Sequence, residues 1–140
     1  LPEERRDVAR RAALAAVACL TAAVADALGA VLPHPLRAPG RGGATIDERA
    51  DAGSKTYALA PRGADDPQFG FALSLLQNDV TRLCLAGGVA PDALWPAEAL
   101  LLNLTTLRDA LRTRAATALA RCSEPGDGGR APAAAAAPPP

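Results

Sequence analysis

The first quarter of the chain has the apolar spacing of one long helix. Pro2 suits a first helical turn, and Glu3 and Glu4 lie where the positive end of a helix dipole favours acids. A stripe then recurs at alternating spacings of three and four residues: Leu14, Val17, Thr21, Val24, Leu28 and Val31. Because such spacing places side chains along one side of a helix, we predict a helix over 3–32 that ends at Pro33.

Three short extended segments follow, separated by turn residues. The predicted strands are Leu36–Pro39, Ala44–Ile46 and Lys55–Leu59. The segment Gly40–Gly43 predicts a hairpin turn between the first two strands. A phosphate-binding loop is less consistent with that segment, because such a loop leads into a helix N-terminus and a strand follows here. We therefore predict a small antiparallel sheet with one face covered by helices.

A second helix begins where Asp66 can cap its N-terminus and Pro67 can occupy its first position. Its apolar stripe consists of Phe69, Leu73, Leu76, Val80 and Leu83. Phe71, Leu75 and Leu85 widen that stripe, which predicts burial on two sides. Gly87-Gly88 is expected to end the helix by supplying a left-handed residue.

The third predicted helix opens at Pro96 and runs to about Arg121. Its stripe consists of Leu100, Leu104, Leu107, Leu111 and Ala115. We thus predict an α+β domain over residues 1–122, with a three-stranded antiparallel sheet packed by about three helices. Residues 123–140 form a tail rich in Ala, Pro and Gly, which we expect to be disordered.

The N-terminal segment also allows a different interpretation. Arg10-Arg11 precede the apolar run Ala12–Ala25, and Ala25-Asp26-Ala27 has the form of a signal cleavage site. On that interpretation the mature protein is a small secreted domain. The acidic start without Met favours the helix of a folded domain, and Asp26 would lie inside a membrane span.

Composition excludes several classes of function. Lys and Arg number 15 and Asp and Glu also 15, so no bulk field attracts nucleic acid. Three cysteines without a CxxC pair are expected to be reduced thiols. His34 is the only histidine, so a zinc site of the usual kind is not expected. We predict no catalytic residue, cofactor or metal, and therefore no enzyme.

Three surface features are candidates for contacts. Leu94 and Trp95 lie in a turn between helices, where an exposed tip could enter a membrane interface or bind a partner. The more ordinary interpretation is that Trp95 closes the end of the core. Asn103 starts an N-glycosylation sequon, which we interpret as accidental because it lies within a helix. A basic group near the end of the third helix is interpreted as a solvated face rather than a contact with acidic lipid: Arg108, Arg112 and Arg114.

The serial order of the segments resembles a known family. It runs from an Ala/Leu helix to Pro33-His34-Pro35-Leu36-Arg37-Ala38-Pro39, Gly42-Gly43-Ala44-Thr45-Ile46-Asp47, Lys55-Thr56-Tyr57-Ala58-Leu59 and Phe69-Gly70-Phe71-Ala72-Leu73-Ser74-Leu75-Leu76-Gln77-Asn78-Asp79-Val80. Asn103-Leu104 follows in a final Leu-rich helix. Over roughly residues 10–115 this is similar to the C-terminal region of the UVRAG/Barkor family, regulatory subunits of the class III phosphatidylinositol 3-kinase complex. Ala38 stands where that family usually has an aromatic residue, and Gly43 replaces a serine.

The resemblance implies a β–α autophagy-type domain without catalytic residues. It implies pairing with a Beclin-type subunit, and a role in holding the lipid kinase against endosomal or autophagic membranes from the cytoplasm. The endosomal, UVRAG-like branch fits better than the autophagy-specific one. The alternative is an all-helical adaptor unrelated to the kinase complex, which predicts no sheet over residues 36–60.

Overall fold

The computed structural model describes residues 2–40, 43–62 and 66–123. Its elements follow one another as a helix, three strands and two further helices. Their bounds are α1 Glu3–Leu28, β1 Leu36–Gly40, β2 Gly43–Asp47, β3 Thr56–Ala58, α2 Pro67–Ala86 and α3 Leu100–Ser123, with a 3₁₀ turn at Pro91–Ala93. The predicted α+β class is confirmed.

The strands form one antiparallel sheet in the order β1-β2-β3. Ile46 pairs with Leu36 on one side and with Tyr57 on the other. Its side chain is fully buried, so the central strand contributes directly to the core. This sheet contradicts the all-helical architecture of the alternative. The predicted turn residues Arg41 and Gly42 lie outside the described residues.

Helix α1 ends earlier than predicted. Gly29 adopts the left-handed conformation, with φ of 65°, and ends the helix four residues before Pro33. Glycine populates that region without the steric penalty of a Cβ atom. The prediction that Val31 continues the stripe is therefore wrong, since its side chain is 90% exposed. The preceding stripe positions, from Leu14 to Leu28, do pack on the core.

Both predicted ends of α2 are confirmed. The Asp66 carboxylate accepts hydrogen bonds from the amides of Gln68 and Phe69, which satisfies donors that have no partner within the helix. At the other end Gly88 adopts φ of 94°. The helix thus begins at a side-chain cap and ends at a residue that can reverse the chain.

The core is built around α2. Five of its apolar side chains are at most 1% exposed: Ala72, Leu76, Val80, Leu83 and Cys84. Residues from α1, the sheet and α3 complete the same cluster. The predicted burial of α2 on two sides is only partly correct, because Leu75 is buried whereas Phe71 and Leu85 are each 40% exposed.

Helix α3 begins at Leu100, not at Pro96. Pro96 lies in a turn, closed by a hydrogen bond from the Ala99 amide to the Pro96 carbonyl. Along α3, Asn103 and Leu107 are the buried residues, and the side chains from 112 to 123 are exposed. The predicted tail began at Ser123, but Ser123 is the last residue of α3. Residues 124–140 lie outside the described residues.

Helix α1 is the element to consider as a membrane-spanning segment. By length and composition it could span a bilayer, with a mean hydropathy of 1.7 over its most apolar 18-residue window. In this structure Ala18, Thr21 and Ala25 are buried against the rest of the molecule. One side of the helix therefore serves the core of the folded domain.

Candidate docking surface

The loop that carries Trp95 is fixed by one side chain of α3. The Asn103 amide oxygen accepts a hydrogen bond from the Trp95 amide at 2.9 Å. Its nitrogen donates to the carbonyl oxygens of Trp95 at 3.2 Å and Pro96 at 3.4 Å. Because Asn103 is only 1% exposed, these bonds are shielded from water, and each polar atom of the amide has a partner.

The two predicted contact residues have different environments. Leu94 is half-buried and packs against the core. Trp95 is 51% exposed, so the interpretation that it closes the core is wrong, and Leu94 makes the core contact instead. The Asn103 bonds hold the backbone in an arrangement that presents the indole to solvent.

The first turn of α3, to which the Trp95 backbone is bonded, carries two more exposed apolar side chains. Leu101 is 70% exposed and Leu102 is 47% exposed. Single exposed apolar residues are ordinary on protein surfaces. Here three large ones lie within eight residues of sequence, and Asn103 holds the loop and the helix together. We call Trp95, Leu101 and Leu102 the Trp95 surface.

An apolar groove adjoins this surface through Leu101. It has a volume of about 340 Å³ and lies where all three helices meet. Its lining consists of Arg10, Ala13, Leu14, Val17, Phe69, Leu73, Leu100 and Leu101. Seven of these eight residues are apolar, so the groove suits hydrocarbon or apolar side chains better than a polar metabolite.

The basic residues of α3 have separate roles. Arg108 pairs with Asp109 at 3.2 Å on the exposed surface, an arrangement that contributes little stability. Arg112 is exposed, as the solvated-face interpretation expects. Arg114 has a structural role that the solvated-face interpretation did not predict, since its guanidinium donates to the Gly87 carbonyl at 3.2 Å. A cation there stabilises the negative end of the α2 dipole.

The sequon is not an available glycosylation site in this fold, because the Asn103 amide is buried and hydrogen-bonded.

The three cysteines lie apart from one another in the fold and differ in exposure. Cys19 and Cys122 are exposed, whereas Cys84 is buried and donates to the Asn103 carbonyl at 3.4 Å. Burial raises the pKa of the Cys84 thiol, which disfavours the thiolate that nucleophilic chemistry needs.

A polar cluster on the other side of α2 was not predicted as a site. The His34 amide donates to Oδ1 of Asp79 at 3.0 Å. The His34 ring donates from Nδ1 to the Glu48 carbonyl at 2.7 Å, because a carbonyl oxygen can only accept. Its Nε2 lies 3.1 Å from the side-chain nitrogen of Asn78 and accepts from it. One histidine thus joins the residues after α1 to α2 and to the end of β2.

Asp79 itself is fully buried, and its Oδ2 has no hydrogen-bond partner among the described residues. Removal from water raises the pKa of this carboxyl from 3.8 to about 7, while the bond from the His34 amide and the His34 charge act in the opposite direction. The sequence carried a signal for this. Asp79 stands four residues after Leu75 and four before Leu83, on the core side of the helix.

Among the described residues, no group of three or more His, Cys, Asp or Glu side chains is arranged to hold a metal ion. No protein-family model, curated protein or solved structure matches this chain.

Proposed function

We propose that this chain is a non-catalytic regulatory and scaffold subunit of the class III phosphatidylinositol 3-kinase complex. In this role it pairs with a Beclin-type subunit and positions the lipid kinase on endosomal or autophagic membranes, on their cytoplasmic side. The observation that carries the proposal is the antiparallel pairing of β1, β2 and β3. The family resemblance implies strands at these positions, directly before the helix that begins with Phe69.

The mechanism of such a subunit is positional. Binding energy from apolar surface fixes a partner enzyme in place, and the bound enzyme performs the chemistry. The Trp95 surface and the adjoining groove supply the apolar area that this mechanism needs. They are held on the three helices and on a loop fixed by Asn103. A surface held in this way loses little conformational freedom on binding.

Trp95 is the candidate for the membrane contact within this role. Indole rings favour the interface between lipid headgroups and hydrocarbon. Leu101 and Leu102 are the candidates for the contact with the Beclin-type subunit. The two contacts are separable by mutation because all three side chains are exposed and none closes the core.

The test of the partner contact is affinity capture with the complete protein that contains this chain. The bait is wild type, Leu101→Ser or Leu119→Ser, and the captured Beclin-type subunit and lipid kinase are quantified. Leu119 is the matched control, because it is also a leucine of α3 and is 68% exposed against 70% for Leu101. Leu76→Asp places a charge at a fully buried position and reports what an unfolded bait captures.

The proposal predicts capture by wild type and Leu119→Ser, with a loss of about tenfold or more for Leu101→Ser. Folded wild-type bait that captures neither subunit would contradict the kinase-complex role. Capture of both subunits that is equal for all three folded baits would keep that role and exclude Leu101 from the contact. Flotation with vesicles then compares wild type with Trp95→Ser for the membrane contact.

A further inference from the structure

Two segments link the helices of this molecule to their neighbours. The first connector, residues 29–35, joins α1 to β1, and the second connector, residues 87–99, joins α2 to α3. The first connector is hydrogen-bonded to α2 through His34, whose backbone amide donates to Asp79 and whose ring accepts from Asn78. Its next residue, Pro35, accepts from the Asp47 amide at 2.9 Å.

We propose that Asp79 and His34 form a proton-controlled latch, in which the protonated Asp79 carboxyl keeps the first connector closed over α2. When the carboxyl loses its proton, the closed connector leaves a charged oxygen, Oδ2, without a hydrogen-bond partner in the part of the chain that the structure describes. Opening of the connector admits water to that oxygen. Ionisation therefore shifts the local equilibrium towards the open connector.

The geometry supports this direction of response. A buried ionised carboxylate is strongly disfavoured unless both of its oxygens are solvated by hydrogen bonds. Oδ1 accepts from the His34 amide at 3.0 Å, but Oδ2 has no hydrogen-bond partner within residues 2–40, 43–62 and 66–123. A protonated carboxyl needs less solvation, because it carries no net charge. The pKa of about 7 for Asp79 has burial as its main cause and agrees with this preference.

The charges around Asp79 do not reverse the response. Among the described residues, His34 on the first connector is the charged or titratable group that acts on this carboxyl, and its charge lowers the pKa. Helix α1, the sheet and α3 contribute no such group from their described residues. Protonation of the ring leaves its own contacts possible, because the Asn78 amide can turn its oxygen towards Nε2.

Asp47 is a second buried acid, and both of its carboxylate oxygens have partners. It is 7% exposed, and one oxygen accepts from Thr56 at 2.6 Å while the other pairs with Arg37 at 3.3 Å. Both of its oxygens are therefore solvated by the protein. The partnerless oxygen is thus a feature of Asp79 rather than of every buried acid in this fold.

The test uses backbone amide exchange measured by NMR on the full chain between pH 5 and 8. Exchange rates are corrected for the intrinsic pH dependence, so that the protection factor of the His34 amide reports opening of the connector. For wild type we expect this factor to fall by about tenfold per pH unit up to about pH 7, and then to level off. Asp79→Asn should give a factor independent of pH. Asp109→Asn, which changes an exposed acid, should behave as wild type.

Two results would overturn the latch. One is a His34 protection factor in wild type that does not change with pH. The other is an equal pH dependence in wild type and Asp79→Asn, which would place the titrating group elsewhere. If Asp79→Asn fails to fold, the wild-type Asp79 carboxyl carbon shift decides. A midpoint near 7 supports the latch, and a midpoint near 4 rejects it.

Discussion

Each of the two connectors is bonded to a buried polar side chain, Asp79 for the first and Asn103 for the second, and the polar atoms of these two side chains are satisfied to different degrees. Asn103 holds the second connector with an amide whose donor and acceptor atoms both have partners. Asp79 holds the first connector with one oxygen, and its other oxygen has none among the described residues. An amide matches a backbone that offers both an N–H and a carbonyl, whereas a carboxylate can only accept. The first connector should therefore respond to pH and the second should not.

The largest effect on stability is expected when Asn103, which holds the second connector, is replaced by an acid of the kind that holds the first. Asn103→Asp keeps an acceptor for the Trp95 amide but loses the donor to the Trp95 and Pro96 carbonyls. It also places a negative charge next to those carbonyls. We expect a loss of about 3 kcal/mol in unfolding free energy at pH 8. Urea denaturation at pH 5 and 8 should give a smaller loss at pH 5, and an equal loss at both values would contradict the explanation.

The next largest effect concerns the packing of the second connector. A Cβ atom at Gly87 would overlap Cδ1 of Leu107, a side chain that is itself only 2% exposed. Gly87→Ala should therefore destabilise the protein by about 2 kcal/mol at any pH. Gly70→Ala is the control, because nothing lies within 4 Å of a Cβ atom there and alanine favours helix. A loss for Gly70→Ala as large as that for Gly87→Ala would refute the overlap.

A moderate gain is expected when Asp79 is made neutral. Its folded pKa of about 7 lies above the unfolded value of 3.8, so the folded state keeps a proton that the unfolded state has released. Stability must then fall as pH rises from about 4 to 7 and level off above. Asp79→Asn should remove that fall and raise the unfolding free energy by about 1 kcal/mol at pH 8, because its unpaired amide offsets part of the gain. Thermal melts at pH 5 and 8 should show a melting temperature that is lower at pH 8 for wild type and unchanged between the two pH values for Asp79→Asn.

The smallest effect on stability is expected at Trp95. Its backbone is held by Asn103, but its side chain is half exposed. Trp95→Ser should change the unfolding free energy by less than about 0.5 kcal/mol. In the same denaturation series, a loss above about 1 kcal/mol would mean that the indole belongs to the core after all.

The sequence predicted the sheet well because local signals and fold agree there. Turn glycines and alternating residues predicted strands at 36–39, 44–46 and 55–59. Each end of the observed β1 and β2 lies within one residue of its predicted position. The start of α2 was equally clear, since Asp66 and Pro67 are a cap and a first-turn proline whose effects are local.

The predictions were wrong where tertiary packing or a second local signal determined the boundary of a helix. Gly29 ended α1, although Pro33 carries the stronger helix-breaking signal. Pro96 was expected to start α3 and instead closes a turn, because Asn103 binds the backbone of that loop from within the helix. The exposure of Trp95 follows from the same bonds. A side chain that reaches back seven or eight residues leaves no periodic signal in the sequence.

The candidate surface was predicted only in part. Leu94 and Trp95 were named from their place between helices, but the exposure of Leu101 and Leu102 depends on how far α3 rotates against α2. The burial of Asp79 could have been inferred from its position among leucines. The missing partner of Oδ2 could not, because it depends on which groups the first connector brings to that oxygen.

The distribution of the three thiols gives this protein its own set of labelling sites. Cys19 on α1 and Cys122 on α3 are exposed, whereas Cys84 lies in the core. A maleimide should therefore attach twice within minutes and a third time only as the chain unfolds. Spin labels at the first two positions would report the distance between the outer helices, so a partner that rearranges them could be detected without engineering a new cysteine.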